Sequence, residues 1–153
     1  VPGHFEETLR GAGLRVTQPR LAVLSAVHDH PHADSAVIAE AVREQLPAVS
    51  RQAIFDCLNT FADSRLVRRI QPAGSSARYE LRVGDNHHHL VCRSCGAVVD
   101  VDCAVGEAPC LHTPDDHGFR IDEAEVIYWG VCPDCAAAQR VSPTLQQDTE
   151  RKS

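Results

Sequence analysis

The chain has 153 residues, 43% of them apolar, with ordinary charge content: enough for one globular domain or two small ones. No apolar run approaches the length of a membrane span, and residues 1–10 are amphipathic and acidic rather than patterned as a signal peptide. The net charge of −6 argues against a nucleic-acid partner only while it is left undivided. Residues 1–82 carry ten Arg against nine Asp/Glu, whereas residues 83–153 carry five Lys/Arg against twelve Asp/Glu. The acid lies in the second half, so the first can present a basic face to phosphates.

In chain order, Phe5, Leu9 and Ala12 predict a short helix ending at Gly11-Ala12-Gly13. Thr17 caps a second helix with Pro19 in its first turn, and Leu21, Val23, Leu24 and Val27 form its apolar face. His30-Pro31-His32-Ala33-Asp34 reads as a turn. Asp34 or Ser35 caps a third helix with Val37, Ile38, Ala41, Val42 and Leu46 as its apolar positions, stopped by Pro47. Ser50 caps a fourth, whose buried stripe is Ile54, Leu58, Phe61 and Ala62. Two β segments, 66–70 and 78–81, follow around a Pro-Ala-Gly-Ser-Ser tip as a hairpin. This order fits a winged helix-turn-helix; it also fits any small helical domain ending in a hairpin.

Residues 83–86 read as a hinge, and beyond them strands are expected at 90–92, 97–101, 119–121 and 126–129. Residues 133–139 allow a last helical turn or two, and the polar tail 142–153 is expected to be disordered. The expected division is 1–82, a hinge, and 87–141.

The chemistry sits in the second half. Cys92-Arg93-Ser94-Cys95-Gly96 and Cys132-Pro133-Asp134-Cys135 supply four thiolates in two Cys-x-x-Cys knuckles, 36 residues apart. Two such pairs favour structural Zn²⁺ over a dithiol redox pair. Seven cysteines, four of them in these metal-type pairs, suit a reducing, cytoplasmic compartment better than a secreted disulfide scaffold. Cys57 reads as core, and Cys103 and Cys110 have no matching partners. His87 and His89 alternate and so share a face of a strand, with His88 on the other. With Glu80, Asp100 and one of His30 or His32 they make a nitrogen and oxygen set suited to Fe, Ni, Zn or Mn. A metalloenzyme using such a set needs an open coordination position and a substrate cleft, and the sequence offers no separate nucleophile or phosphate-cradling loop. A thiol switch would use the cysteines alone.

These segments together carry a resemblance. Leu14-Arg15-Val16-Thr17-Gln18-Pro19-Arg20, His30-Pro31-His32-Ala33-Asp34, Val49-Ser50-Arg51-Gln52, Leu66-Val67-Arg68-Arg69, Arg78-Tyr79-Glu80, the His87-to-Gly96 run and Gly130-Val131-Cys132-Pro133-Asp134-Cys135 resemble, in order, the ferric uptake regulator family. Glu107-Ala108-Pro109-Cys110 and Val126-Ile127-Tyr128-Trp129-Gly130 look like its actinobacterial branch encoded beside catalase-peroxidase genes. The resemblance implies a non-enzymatic repressor of α+β fold: an N-terminal winged helix on an inverted-repeat operator in double-stranded DNA, and a C-terminal α/β domain that makes a homodimer. It implies no membrane partner and no catalytic residue.

It also places the regulatory metal on His30, Glu80, His87, His89 and Asp100, with His32 as second candidate at the first position. Structural zinc falls on Cys92, Cys95, Cys132 and Cys135, and an accessory set on His88, Glu107 and His117. Fe²⁺ is the expected regulatory ion, with Mn²⁺, Ni²⁺ and Zn²⁺ as competitors. Arg51 and Gln52 are candidate base readers; Arg15, Arg20, Arg68, Arg69 and Arg78 are candidate phosphate contacts. Where the family reads Thr-Val-Tyr, this chain has Ala53-Ile54-Phe55, and Phe55 packs on a thymine methyl or sugar without donating a hydrogen bond. Glu80 is typical of iron sensors and Asp100 of peroxide sensors.

Overall fold

The computed structural model describes residues 2–81, 87–105 and 110–140. Two units divide between Asp85 and Asn86. The expected hinge and tail, and Glu107 of the accessory set, lie outside the described residues.

The first unit contains α1 (Pro2–Gly11), α2 (Gln18–Asp29), β1 (Ala33–Asp34), α3 (Ser35–Gln45), α4 (Arg51–Asp63), β2 (Arg68–Ile70) and β3 (Arg78–Glu80). Side-chain caps set the helix starts. Thr17 Oγ1 accepts the Arg20 N–H at 3.4 Å, Asp34 Oδ1 accepts those of Ala36 and Val37 at 3.0 Å each, and Ser50 Oγ accepts that of Ala53 at 3.1 Å. Each satisfies backbone donors that a first turn leaves without a helical partner. Leu9, Val23, Leu24, Val27, Ile38, Val42, Ile54, Leu58 and Phe61 form the core, joined by Val67 and Tyr79. On α3 the sequence placed Val37 in the apolar face; it is exposed, and Ala39 is buried instead. With Asp34 as cap, Ile38, Ala39 and Val42 turn inward.

The hairpin β2–β3 pairs Arg68 with Glu80 and Ile70 with Arg78. A third strand joins it where the sequence suggested only a turn: β1 pairs Ala33 with Tyr79, giving the order β1-β3-β2. His32 stands just ahead of β1 with φ 64, and its N–H donates to the Tyr79 carbonyl at 2.9 Å.

The second unit contains β4 (His87–Cys92), β5 (Val98–Asp102), β6 (Ile127–Gly130) and α5 (Pro133–Arg140). The sheet order is β5-β4-β6, with β4–β5 antiparallel and β4–β6 parallel. The strand expected at 119–121 does not form: Phe119 follows a turn at Asp116-His117-Gly118, its N–H donates back to the Asp116 carbonyl, and the segment is exposed. The described interior of this unit is built from His87, His88, His89, Val91, Cys92 and Cys110 rather than from an aliphatic cluster. A small unit so poor in apolar interior needs staples of another kind.

Candidate metal centres and nucleic-acid interface

The parallel β4–β6 pairing closes the long gap between the cysteine pairs. Cys92 is in register with Gly130, and the Arg93 N–H donates to the Gly130 carbonyl at 2.8 Å. Cys132 therefore emerges beside the first knuckle. Gly96, with φ +75, takes the left-handed turn that brings Cys95 back, a conformation costly for a residue with a Cβ. Cys92, Cys95, Cys132 and Cys135 place their sulfurs within 4.8 Å of one another, and Cys95 and Cys132 stand 3.8 Å apart. Tetrahedral Zn²⁺ at about 2.3 Å from each sulfur sets an S···S edge of about 3.8 Å, so the four thiols fit such an ion.

Their protons are unequally held. Backbone N–H groups, first that of Cys132 and then that of Cys95, lower the Cys92 thiol to about 6. For Cys135 the Ser94 hydroxyl pulls downward, but hydrogen bonding with Cys132 and Cys95 together with burial outweighs it and pushes the thiol up to about 12. A cluster that already favours one thiolate and shares protons among the rest is prepared for a cation.

On β4, His87 and His89 are both buried, their rings 4.9 Å apart and nearly perpendicular. The register sets Asp100 of β5 opposite His89. Asp100 Oδ1 lies 3.5 Å from His89 Nε2 and 3.9 Å from His87 Nε2. Two imidazoles and a carboxylate thus converge on one face. Glu125 was not anticipated: its Oε1 lies 3.9 Å from His89 Nδ1. The acidic run before β6 was visible, but its position depends on the parallel pairing, which the sequence did not reveal.

In the first unit, β1–β3 pairing sets His32 opposite Glu80. His32 Nε2 lies 2.9 Å from Glu80 Oε2, and Glu80 is only 2% exposed. Arg78 Nη1 donates to the His32 carbonyl at 3.2 Å, which holds that left-handed residue in place. His30 is exposed at the C-terminal end of α2. Of the two histidines offered for one ligand position, His32 is therefore the one beside Glu80.

The helix pair α3–α4, joined through residues 46–50, forms the helix-turn-helix. Ile54, Leu58 and Phe61 face the core, which leaves Arg51, Gln52 and Phe55 exposed on the N-terminal half of α4. Together with Ser35, Ala36 and Ala39 of α3 these three line a shallow groove. Gln52 Nε2 donates to Asp56 Oδ1 at 2.8 Å, one helical turn on. Among the other arginines, Arg20 Nη1 donates to the Arg15 carbonyl at 2.8 Å, Arg69 is exposed on the hairpin, and Arg68 and Arg78 are half-buried.

The accessory trio is not gathered as a set. His88 is buried with Cys103 and Cys110, whereas His117 is exposed beside Asp115 at 3.5 Å. Burial, and then the Cys103 thiol, raise the Cys110 thiol above its usual range. Cys57 is half-buried against the core of the first unit, as its mid-helix position suggested, and burial raises its thiol.

This architecture has counterparts among known proteins. Residues 11–129 match the Ferric uptake regulator family. Transcriptional regulator FurA of Mycobacterium tuberculosis is 66% identical over 132 residues, covering 86% of this chain and 90% of that protein. Ferric uptake regulation protein 2 of Mycolicibacterium fortuitum is 61% identical, covering 88% and 94%. The crystal structure of the Vibrio cholerae ferric uptake regulator superposes with a TM-score of 0.67 at 25% identity, covering 83% of this chain and 98% of that one. The profile, the relatives and the fold agree: the chain belongs to the ferric uptake regulator family and is a transcriptional regulator of its actinobacterial FurA type.

Proposed function

We propose that this protein is an Fe²⁺-dependent repressor that binds an inverted-repeat operator as a homodimer. The observation that carries the reading is α4: a capped helix, anchored by Ile54, Leu58 and Phe61, whose outward N-terminal half offers Arg51, Gln52 and Phe55. Residues at the start of a recognition helix reach base edges when it enters the major groove. Arg51 and Gln52 read bases by bidentate hydrogen bonds, and Phe55 adds apolar contact to a thymine methyl. Arg15, Arg20, Arg68, Arg69 and Arg78 supply phosphate contacts, with Arg20 and Arg78 also bracing their own loops.

Zn²⁺ on Cys92, Cys95, Cys132 and Cys135 staples the second unit. Fe²⁺ takes His32, Glu80, His87, His89 and Asp100, with His32 favoured over His30 by its place beside Glu80. This sulfur-free set suits Fe²⁺, with Mn²⁺, Ni²⁺ and Zn²⁺ as competitors. In this reading metal supply governs operator binding. Dimerisation is supported by an apolar row across the second sheet: Leu90 pairs with Val99 on one side and Tyr128 on the other, and they are 46%, 56% and 49% exposed. Apolar side chains aligned on one exposed sheet face mark an interaction surface.

The targets in this reading are iron-homeostasis and oxidative-stress genes, including a catalase-peroxidase gene and its own, in the cytoplasm. Peroxide reaches the same site by oxidising a ligating histidine, a reading favoured by Asp100 lying against both imidazoles. Unmodified histidines, by mass spectrometry, after peroxide has fully released the operator would remove that step. The overall reading is tested by Arg51→Ala with Gln52→Ala: loss of sequence-specific operator binding with dimerisation intact is expected, and unchanged specificity contradicts it.

A further inference from the structure

His88 points away from its two neighbours on β4, and what it meets there is sulfur. The β4–β5 register pairs His88 with Val101, so Cys103, two residues on, falls on the same face. Cys110 returns to the same place, with its Sγ 3.1 Å from His88 Nε2. His88 and Cys110 are buried, Cys103 is half-buried, and the three ligand atoms lie within 4.8 Å of one another. A carboxylate is absent from this group among the described residues. We propose that His88, Cys103 and Cys110 form a second, thiolate-rich metal site, selective for a thiophilic d¹⁰ cation of the Zn²⁺ class and separate from the four-cysteine cage.

Two sulfurs and one imidazole favour Zn²⁺ over Fe²⁺ or Mn²⁺, which prefer sets with more oxygen. Three protein ligands leave a fourth position for water or an exogenous ligand, so this site exchanges its ion faster than the closed cage. The two sites therefore answer to different zinc concentrations. Ligation has a visible cost at the imidazole. The Val126 N–H donates to His88 Nδ1 at 3.3 Å. Binding a cation through Nε2 moves the ring proton to Nδ1 and displaces that long hydrogen bond.

The test is a zinc and cobalt titration of the full-length protein, reduced and stripped of metal. Wild type should take Co²⁺ in two thiolate phases, the weaker with about half the charge-transfer absorbance of the stronger, since two thiolates bind rather than four. Cys103→Ser with Cys110→Ser should lose the weaker phase and one equivalent of zinc while keeping the stronger phase, which also reports that the unit is folded. His88→Ala should weaken the second phase at least tenfold and keep its charge-transfer band. The Val126 amide resonance should shift as the second equivalent binds. Should the double variant not fold, wild type gives the same answer through alkylation: Zn²⁺ added beyond what the four-cysteine cage holds should shield Cys103 and Cys110 from a maleimide. Equal zinc content in wild type and double variant, unshielded cysteines, or a Cys103–Cys110 disulfide in protein kept under reductant overturns the proposal.

Discussion

Ser50→Ala tests whether the cap on α4 orders the turn proposed to read DNA. Ser50 has φ −73 and ψ 153, outside the helix, and its Oγ holds the Ala53 N–H at 3.1 Å. Losing such a cap costs about 1 kcal/mol, and since Ser50 is exposed, water reaches the released donor, which keeps the cost near that value. Ile54, Leu58 and Phe61 still hold the helix, so fraying is confined to the turn carrying Arg51 and Gln52. Melting of the first unit should fall by roughly 4–8 °C for a domain of this size. Operator binding, which must re-form that turn, should weaken about fivefold. Differential scanning calorimetry and fluorescence anisotropy read the two effects. Ser50→Thr should restore both. Ser50→Asp should keep the melting temperature, because Asp caps well, yet bind DNA more weakly through its charge. Equal stability of the Ala, Thr and Asp variants would refute the reasoning.

Phe61→Ala, at a fully buried position in the core of the first unit, should cost about 3–5 kcal/mol and unfold that unit in urea well before wild type. Leu90→Glu with Val99→Glu should leave the monomer folded, since both side chains are exposed, and convert a dimer to monomer by sedimentation. Zinc uptake by the metal-free cage should release protons at pH 8. Cys92, lowered to about 6, is already thiolate there, whereas Cys135, pushed up to about 12, must give up its proton. Zinc affinity should accordingly rise with pH, and Cys135→Ser should reduce the proton count measured by calorimetry in buffers of different ionisation enthalpy.

The parts of this molecule legible in the sequence are those with local causes. Thr17, Asp34 and Ser50 stand just before apolar periodic runs, and each caps a helix. The Cys-x-x-Cys knuckles carry their own turn chemistry, and the alternation of three histidines fixes their faces once they lie on a strand. What escaped depends on distant pairing. β1 is two residues long, too short for any period to show, and forms because β3 passes beside it. The parallel join of β4 to β6 has no turn signal between its strands, so the positions of Glu125 and Val126 beside the histidines could not be read. Cys103 and Cys110 carry no matching spacing: strand register sets Cys103 on the face of His88, and the chain then returns Cys110 to 3.1 Å from the same imidazole.

The most direct test is operator binding by the zinc-loaded protein with and without Fe²⁺, set against a Glu80→Ala, His89→Ala variant. Both side chains are buried and take part in the proposed ligand set. The account predicts binding to the promoter of its own gene that requires Fe²⁺ and is lost in the variant. Binding of equal strength with or without Fe²⁺ would contradict it.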